Sequence, residues 1–213
     1  MGHERIMERF KSKTDAIENA LHSVENAEPS SDFDLNPDQP LINVTKLRDA
    51  AVLIPITRGQ NGLEVVFTRR STTMRNHPGQ ISFPGGKQDL TDTSFQHTAL
   101  REAEEEIGLV QTDVQILGAL PRHVTVTSFL VRPYVGLIPP NFTPLIQTDE
   151  VAEVFSAPLE HLLDPTNYLV EGRMWQGRKR HYFTVPYGPY YIWGATARML
   201  RMFADIMEQN DAY

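Results

Sequence analysis

The chain has 213 residues, of which 40% are hydrophobic, and its net charge at pH 7 is −7. This length is enough for one sizeable core, or for one domain with an additional arm. The acidic balance argues against a general nucleic-acid or anionic-membrane binder, and no apolar run approaches the roughly 18–20 residues that cross a bilayer. The chain has no cysteine, which excludes disulfides, thiolate metal sites and a cysteine nucleophile and favours a reducing cytoplasm.

The first part of the chain predicts a helical arm. Residues 4–24 have apolar side chains on roughly one side of a helix, which predicts an amphipathic α-helix. Residues 25–45 are rich in proline, aspartate, asparagine and serine, which predicts an extended connection. Such a segment could not bury a core alone, so we divide the chain into an arm over residues 1–45 and a main domain over residues 46–213.

The main domain begins with strand-like segments. Two apolar runs, residues 50–57 and 63–68, flank a glycine-containing turn and predict a β-hairpin. Residues 71–89 are rich in proline and glycine and predict a loop. A helical pattern follows from about Ser94 to Ile107.

The second half of the main domain alternates strands and helices. Strand-like runs at 114–120 and 128–138 are followed by Val-Ala-Glu-Val-Phe-Ser-Ala-Pro, a short helical segment and two strands around Gln176-Gly177. A last helix is predicted from about Gly194 to Glu208. Strands on both sides of one central helix predict an α+β fold, with a mixed β-sheet sandwiched between α-helices.

The central helix carries an unusual concentration of carboxylates. The spacing i, i+3 and i+4 places Glu102, Glu105 and Glu106 on one face, whereas Glu104 lies off that face and is expected at the surface. Arg101 stands four residues before Glu105 and can pair with it. Another face is small and apolar enough to press against a sheet; it consists of Ala99, Ala103 and Ile107. Asp92, Thr93 or Ser94 can cap the start of the helix, and Gly108 can end it.

Crowded carboxylates repel one another, and a cation would relieve this repulsion. Oxygen ligands on one face suit a hard divalent ion such as Mg²⁺, which typically binds a few carboxylates together with substrate phosphates. The alternative is a solvated acidic face without a ligand. The glycine pair before the helix and the glycine after it favour the cation site.

The stretch from Arg101 to Leu109 resembles the signature of the Nudix hydrolase family. Its sequence, Arg-Glu-Ala-Glu-Glu-Glu-Ile-Gly-Leu, matches the second half of that signature without a gap. The first half departs from the pattern, because Asp92 stands where the family has glutamate and the loop is one residue longer.

Residues 67–92 are similar to the extended signature of the coenzyme A pyrophosphatase branch of this family, in which the longer loop is usual. The resemblance covers about residues 48–205. The matching positions are Thr68, Arg70, Ser71, Arg75, Gly79, Gln80, Phe83, Pro84, Gly85, Gly86, Asp89 and Asp92.

The resemblance implies a Nudix fold and hydrolysis of the diphosphate of coenzyme A or acyl-coenzyme A, giving 3′,5′-ADP and 4′-phosphopantetheine. It implies Mg²⁺ or Mn²⁺ as cofactor. Glu102, Glu105 and Glu106 are then the metal ligands and catalytic residues, and one of them, or Glu150 from a later loop, is the general base. Glu150 has the alternative of being a solvated loop residue. A homodimer is a further expectation.

The candidate substrate-binding residues precede the central helix. Arg70 and Arg75 are expected to contact substrate phosphates, because arginine forks match phosphate oxygens. Alternatively, either arginine pairs with a structural carboxylate. Gly85 and Gly86 let the backbone approach a ligand, or they are turn residues that position the helix.

Histidine, tryptophan and methionine side chains are candidates for structural roles. We expect His77 and His123 to be structural or exposed rather than catalytic. Trp175 and Trp193 are expected to pack rather than to stack on adenine. Methionines of the last helix are expected in the core or in a dimer contact; they are Met199, Met202 and Met207.

Two other functions stay open from the sequence. One is a Nudix diphosphatase acting on ADP-ribose, NADH or another nucleoside diphosphate derivative. The other is a non-catalytic module that senses a nucleotide, although such a module should have lost part of its acidic face.

Overall fold

The computed structural model describes residues 2–24, 27–38, 47–74, 76–175, 177–210 and 212. None of the helices in these ranges is long and apolar enough to cross a membrane. Because these ranges include only part of residues 1–45, the predicted arm is described in part.

A mixed sheet forms the centre of the described chain. Its two longest strands are β2 (Arg48–Arg58) and β8 (Phe129–Leu137), which run parallel and pair along their full common length. Strand β3 (Leu63–Arg70) pairs antiparallel with β2 on the other side. The remaining strands extend this centre: β1 (Ser30–Ser31), β4 (Ile81–Ser82), β5 (Gly85–Lys87), β6 (Gln115–Ala119), β7 (His123–Val124) and β9 (Val151–Pro158).

The strand predictions were correct in place and incomplete in length. The hairpin of β2 and β3 is confirmed, but β2 starts at Arg48 because its first residues pair with β8. The loop predicted over residues 71–89 contains the short strands β4 and β5. They pair with β3 and β2 respectively, an interaction that local composition does not reveal.

Helix α2 (Phe95–Ile107) covers one face of the sheet. The face predicted to be apolar is confirmed, since Ala99, Ala103 and Ile107 are fully buried against Ala51 and Leu53 of β2. Ser94 is the N-cap and accepts a hydrogen bond from His97 N–H, and Gly108 ends the helix in the left-handed conformation. This packing fixes the rotation of α2, so that Glu102 and Glu106 face the glycine pair of β5.

The other face of the sheet is covered by α1 (Gly2–His22), α3 (Leu159–Leu163) and α4 (Gly194–Gln209). Each aliphatic side chain buried there stabilises the fold by about 1.5–3 kcal/mol. The methionines of α4 are buried in this layer, which confirms the core prediction; they are Met199, Met202 and Met207. The predicted α+β sandwich is thus the observed architecture.

The arm does not stand apart from this core. Ile17 and Leu21 of α1 are buried in the layer that contains α4. Strand β1 then pairs in parallel with β7 of the main sheet. The division of the chain at residue 45 stays a prediction.

A second, two-stranded sheet lies after α3. It consists of β10 (Leu169–Trp175) and β11 (Arg178–Thr184), the predicted pair around Gln176-Gly177. Asn36 of the arm clasps this hairpin, because its side-chain amide donates to His181 O at 2.8 Å and accepts from His181 N at 2.8 Å. The arm thereby bridges the main sheet and the hairpin.

Candidate active site

The glutamates of α2 differ sharply in their surroundings. Glu106 is only 4% exposed, whereas the Glu105 side chain is 61% exposed. Burial, followed by the nearby charge of Glu102, raises the pKa of Glu106 to about 8. One backbone N–H, that of Gly85, approaches Glu106 Oε2 at 3.4 Å. This is weak compensation for a buried carboxylate, and the charge of Arg70 offsets the rise in the pKa of Glu106 only in part.

Arg101 organises the neighbouring carboxylates. It donates to Glu105 Oε2 at 2.9 Å, as predicted, and also to Glu102 Oε1 at 3.0 Å. Burial raises the pKa of Glu102, and Arg101 opposes that effect. Glu105 is therefore turned toward Arg101, while Glu102 lies between Arg101 and Glu106. Glu104 is exposed and accepts from Gln111 instead, as expected for a surface residue.

Asp92 is the anchor of Arg101. Its carboxylate has no exposed area and accepts from Arg101 Nε at 2.9 Å and from a terminal nitrogen of Arg101 at 3.0 Å. It also accepts from Thr98 Oγ1 and Asp89 N–H. The hydrogen bonds from Arg101 hold the pKa of Asp92 well below its usual range. Asp92, which stands where the Nudix pattern has glutamate, thus holds Arg101 in place.

The glycine pair lets the loop press against α2. A Cβ on Gly86 would lie 2.6 Å from the Glu102 carboxylate, and a Cβ on Gly85 would lie 2.5 Å from Ala51 O. Gly85 also has a φ of +153°, which side chains rarely allow. Both glycines line the large pocket described below. They therefore serve close backbone approach, both to the sheet and to the carboxylates.

Glu150 comes from the loop between β8 and β9. That loop is tied to α2 by Gln147 N–H, which donates to Glu106 O at 3.0 Å, and to the end of β3 by Ser71 N–H, which donates to Glu150 O at 2.8 Å. The charge of Glu150 raises the pKa of both Glu102 and Glu106. The structure thus brings together Glu102, Glu106 and Glu150, and it directs Glu105 to Arg101.

These carboxylates fit a divalent cation in chemistry but are not assembled as a finished site. No group of three or more His, Asp or Glu side chains within the described ranges is arranged to hold a metal ion. The fit rests on the buried, poorly compensated Glu106 beside Glu102, because hard cations prefer such oxygen ligands.

A pocket of about 490 Å³ opens beside the glycine pair. One side is formed by Arg70, Gly85, Gly86 and Lys87, and the other by the β10–β11 hairpin and the start of α4. The arm supplies a third side through Ser31, Asp32 and Leu35. The lining is basic: it contains one carboxylate, that of Asp32, and five cationic side chains, Arg70, Lys87, Arg173, Arg180 and Arg198, of which Arg198 pairs with Asp34 at 2.7 Å.

The arginines near β3 have different partners. Arg69 pairs with Glu153 at 2.9 Å, which is a structural role. Arg70 lines the pocket, its charge lowers the pKa of Glu106, and its buried Nε has no hydrogen-bond partner among the described residues. Arg75 lies outside the described residues. Arg70 is thus placed between the acidic helix and the pocket.

His123 is structural, as expected. It is fully buried, with Nδ1 2.9 Å from Ser30 Oγ and Nε2 3.1 Å from Asp32 Oδ1. Burial would raise the pKa of Asp32, but the hydrogen bond from His123 and its charge hold that pKa below its usual value. This link fastens the arm to β7.

His77 and Trp193 lie in the pocket wall. His77 is exposed and contacts Gln80. Trp193 packs edge-on against Tyr182 at 5.2 Å, but it also faces Arg173 at 4.7 Å within the pocket lining. Trp193 therefore packs against Tyr182, as expected, and also contacts an arginine of the pocket. The side chain of Trp175 lies outside the described residues.

Family comparison agrees with the geometry of the acidic helix. A model described as the NUDIX domain matches residues 46–176. The chain belongs to the Nudix family. Within this family it is similar to a protein named uncharacterized Nudix hydrolase NudL of Enterobacter sp. (strain 638), with 42% identity over 163 residues, covering 76% of this chain and 84% of that protein. The protein of the same name from Salmonella paratyphi B is 40% identical over 175 residues, covering 82% and 90%.

Solved Nudix structures are more distant. The MutT protein from Methanosarcina mazei Go1 is 21% identical, with a TM-score of 0.46 over 78% of this chain and 95% of that chain. The Ap4A hydrolase of C. elegans in a binary complex is 18% identical, with a TM-score of 0.45 over 54% and 82%.

Sequence reasoning missed the basic wall of this Nudix pocket. Arg173 and Arg180 lie far along the chain from the acidic helix, and Asp32 lies in the arm. The available signal was the group of basic residues around Gln176-Gly177 in an acidic chain. It did not indicate that the hairpin folds back onto the glycine loop.

Proposed function

We propose that this Nudix protein is a metal-dependent diphosphatase that hydrolyses coenzyme A and its derivatives. Water is added across the diphosphate linkage, so that 3′,5′-ADP and 4′-phosphopantetheine, or acyl-phosphopantetheine, leave as products. The observation that carries the proposal is one continuous cavity of about 490 Å³ that runs from the glycine pair and Arg70 to a wall of arginines. Such a cavity has the charge to bind a polyanionic substrate with separated phosphates.

Glu102 and Glu106 would hold Mg²⁺ or Mn²⁺ in this mechanism. The bound ion supplies charge neutralisation at the diphosphate oxygens and lowers the pKa of water. Glu105 would complete the oxygen set after leaving Arg101, or Glu150 would do so from its loop. Arg101 stays anchored by Asp92 and keeps Glu102 in position.

The pocket residues orient the substrate. Arg70 would donate to a diphosphate oxygen beside Glu106, and its buried Nε, which has no hydrogen-bond partner in the described part of the chain, supports that role. We keep Arg75 as a second candidate from its position in the coenzyme A signature. Gly85 and Gly86 let the loop backbone approach the diphosphate closely.

A proton must leave the attacking water during hydrolysis. The candidates for the general base are Glu102, Glu105, Glu106 and the loop residue Glu150, whose charge is felt by Glu102 and Glu106. The water oxygen forms a bond to one phosphorus, and the bridging oxygen leaves with the other phosphate.

We also propose a cytoplasmic location, on the cysteine-free composition. Homodimerisation stays a prediction.

Mass spectrometry of reaction products tests the proposed function. Coenzyme A, NADH and ADP-ribose are incubated with Mg²⁺ or Mn²⁺ and either the wild-type protein or the Glu106→Gln variant. We expect 3′,5′-ADP from coenzyme A with the wild-type protein and little with the variant. Glu104→Gln is the matched control, because it removes one carboxylate of the same helix at an exposed position.

The same experiment separates the alternatives. Cleavage of ADP-ribose or NADH without cleavage of coenzyme A would keep Nudix chemistry and reject the coenzyme A assignment. Tight binding of a nucleotide without any cleavage would favour a sensing module.

A further inference from the structure

Two arginines face each other across the β10–β11 hairpin. Arg173 and Arg180 are directly opposite in the antiparallel register, so both side chains lie on one face of the hairpin. Both line the pocket. Like charges directly opposite on a sheet are destabilising. The metal chemistry does not explain why these two like charges are placed opposite each other.

Arg180 is held firmly from one side. It is only 8% exposed, donates to Asp32 O at 3.2 Å and lies over the ring of Phe33 at 5.1 Å. The Asp32 carboxylate is already engaged by His123 and by Val126 N–H. The arm thus fixes the position of Arg180 but shares its one pocket carboxylate among several donors.

Arg173 completes the pair from the open side. It is exposed, and its guanidinium lies 4.7 Å from the ring of Trp193. Trp193 is the N-cap of α4, and Gly194, Ala195 and Thr196 of the first turn also line the pocket. No side chain caps this helix start, which adds partial positive charge to the same region.

We propose that Arg173 and Arg180 bind a phosphate monoester on the same substrate whose diphosphate lies at the acidic helix. Resting on the proposed function, this group is the 3′-phosphate of coenzyme A. Two guanidinium forks can share the three terminal oxygens of one phosphate, and the dianion removes the repulsion between the arginines. The pair would then distinguish coenzyme A from a diphosphate substrate that lacks the monoester.

Hydrolysis of coenzyme A and of its 3′-dephosphorylated form measures this discrimination directly. We expect the wild-type protein to favour coenzyme A by about tenfold or more in kcat/KM, since charged hydrogen bonds to phosphate are lost with the monoester. In Arg173→Gln this preference should fall to within about twofold, and Arg173→Lys should restore part of it. Arg178→Gln is the matched control, because Arg178 is an exposed arginine of β11 outside the pocket lining.

Calorimetric binding of 3′,5′-ADP and 5′-AMP keeps the test independent of catalysis. We expect the wild-type protein to bind 3′,5′-ADP more tightly, and Arg173→Gln to lose that difference. Equal binding of the two nucleotides by the wild-type protein, or equal losses for both in the variant, would overturn the proposal. If neither form of coenzyme A is cleaved, the proposed function fails, and the binding comparison still decides whether this pair recognises a 3′-phosphate.

Discussion

The candidate site has an acidic side on α2 and a basic side in the neighbouring pocket, and the two are built in opposite ways. The acidic side is one helical segment, in which Glu102, Glu105 and Glu106 lie within five consecutive positions. The basic side joins Arg70 of β3 to Arg173 and Arg180 of the β10–β11 hairpin, which are two distant parts of the chain. Each side concentrates like charge, which Arg101 compensates in part on the acidic side and Asp32 in part on the basic side. On the proposed function, the reacting centre would depend on local helical spacing, whereas substrate selection would depend on contacts between distant segments.

Removing the Glu106 carboxylate should have the largest effect. Glu106→Gln keeps the side-chain volume but removes a charged oxygen ligand at the buried centre of the acidic side. We expect kcat/KM for the best substrate to fall at least about a hundredfold. Steady-state kinetics measure this loss, with Glu104→Gln expected to stay within about twofold. Similar activity of wild type and Glu106→Gln would show that the acidic side is only a solvated face.

The same substitution should stabilise the protein in the absence of metal. The pKa of Glu106 is raised to about 8, mainly by burial, so its proton is held more tightly in the folded state than in the unfolded state. The stabilising contribution of the neutral carboxyl is complete below about pH 4.3 and is lost as the pH rises through about 8. Relative to wild type, Glu106→Gln should therefore gain up to about 5 kcal/mol at pH 9 and little at pH 4.

Urea unfolding at both pH values, in the presence of a chelator, measures that difference. Added Mg²⁺ should then stabilise the wild type more than the variant. A variant that is less stable than wild type at pH 9 without metal would contradict the repulsion argument.

Replacing Asp92 tests the anchor behind the acidic side. Asp92→Asn leaves Arg101 without its buried carboxylate, and we expect a loss of about 3 kcal/mol in the free energy of unfolding at pH 7. The depressed pKa of Asp92, caused chiefly by hydrogen bonds from Arg101, gives stability that is present above about pH 4 and is lost as the pH falls below it. The difference between wild type and variant in urea unfolding should therefore begin to narrow below about pH 4, and it should continue to narrow as the pH falls below about 3.

Asp89→Asn is the control for Asp92→Asn. Asp89→Asn changes a more exposed carboxylate that lies 3.9 Å from Arg101, so its effect should be much smaller. A constant difference between wild type and Asp92→Asn over the whole pH range would contradict the ionic role.

Loosening the arm tests the basic side. Asn36→Ala removes two hydrogen bonds to the His181 backbone, and we expect a loss of about 2 kcal/mol in stability. Hydrogen exchange should increase in β11, and the affinity for 3′,5′-ADP should fall more than the affinity for 5′-AMP. Asn61→Ala, in an exposed turn, is the control. Unchanged exchange in β11 would show that the hairpin does not need the arm.

The sequence predicted most of what depends on neighbouring residues. The start of α2 near Ser94, its end at Gly108 and the rotation set by Ala99 and Ala103 follow from capping and helical periodicity. The pairing of Arg101 with Glu105 follows from their spacing. These features need no information from distant segments.

The remaining features depend on contacts between distant segments. Residues 25–45 were predicted as an extended connection, but the described part of that segment contains β1 and supplies Asp32 to the pocket. Nothing in its composition indicates pairing with β7 or a hydrogen bond to His123. Glu105 shows a different limit, because helical spacing gives the face of a side chain but not the competing partner that turns it away.

The limits of the family match can be compared with the segments that line the pocket. The matched region ends at residue 176, before β11 and α4, and it begins after β1. It thus holds the acidic helix while omitting Asp32, Arg180 and Trp193. Arg70 and Arg173 lie inside the matched region, so the arginine pair proposed to bind a phosphate monoester straddles its C-terminal limit. A change in the segment after residue 176 would therefore alter one arginine of that pair while leaving the acidic helix unchanged.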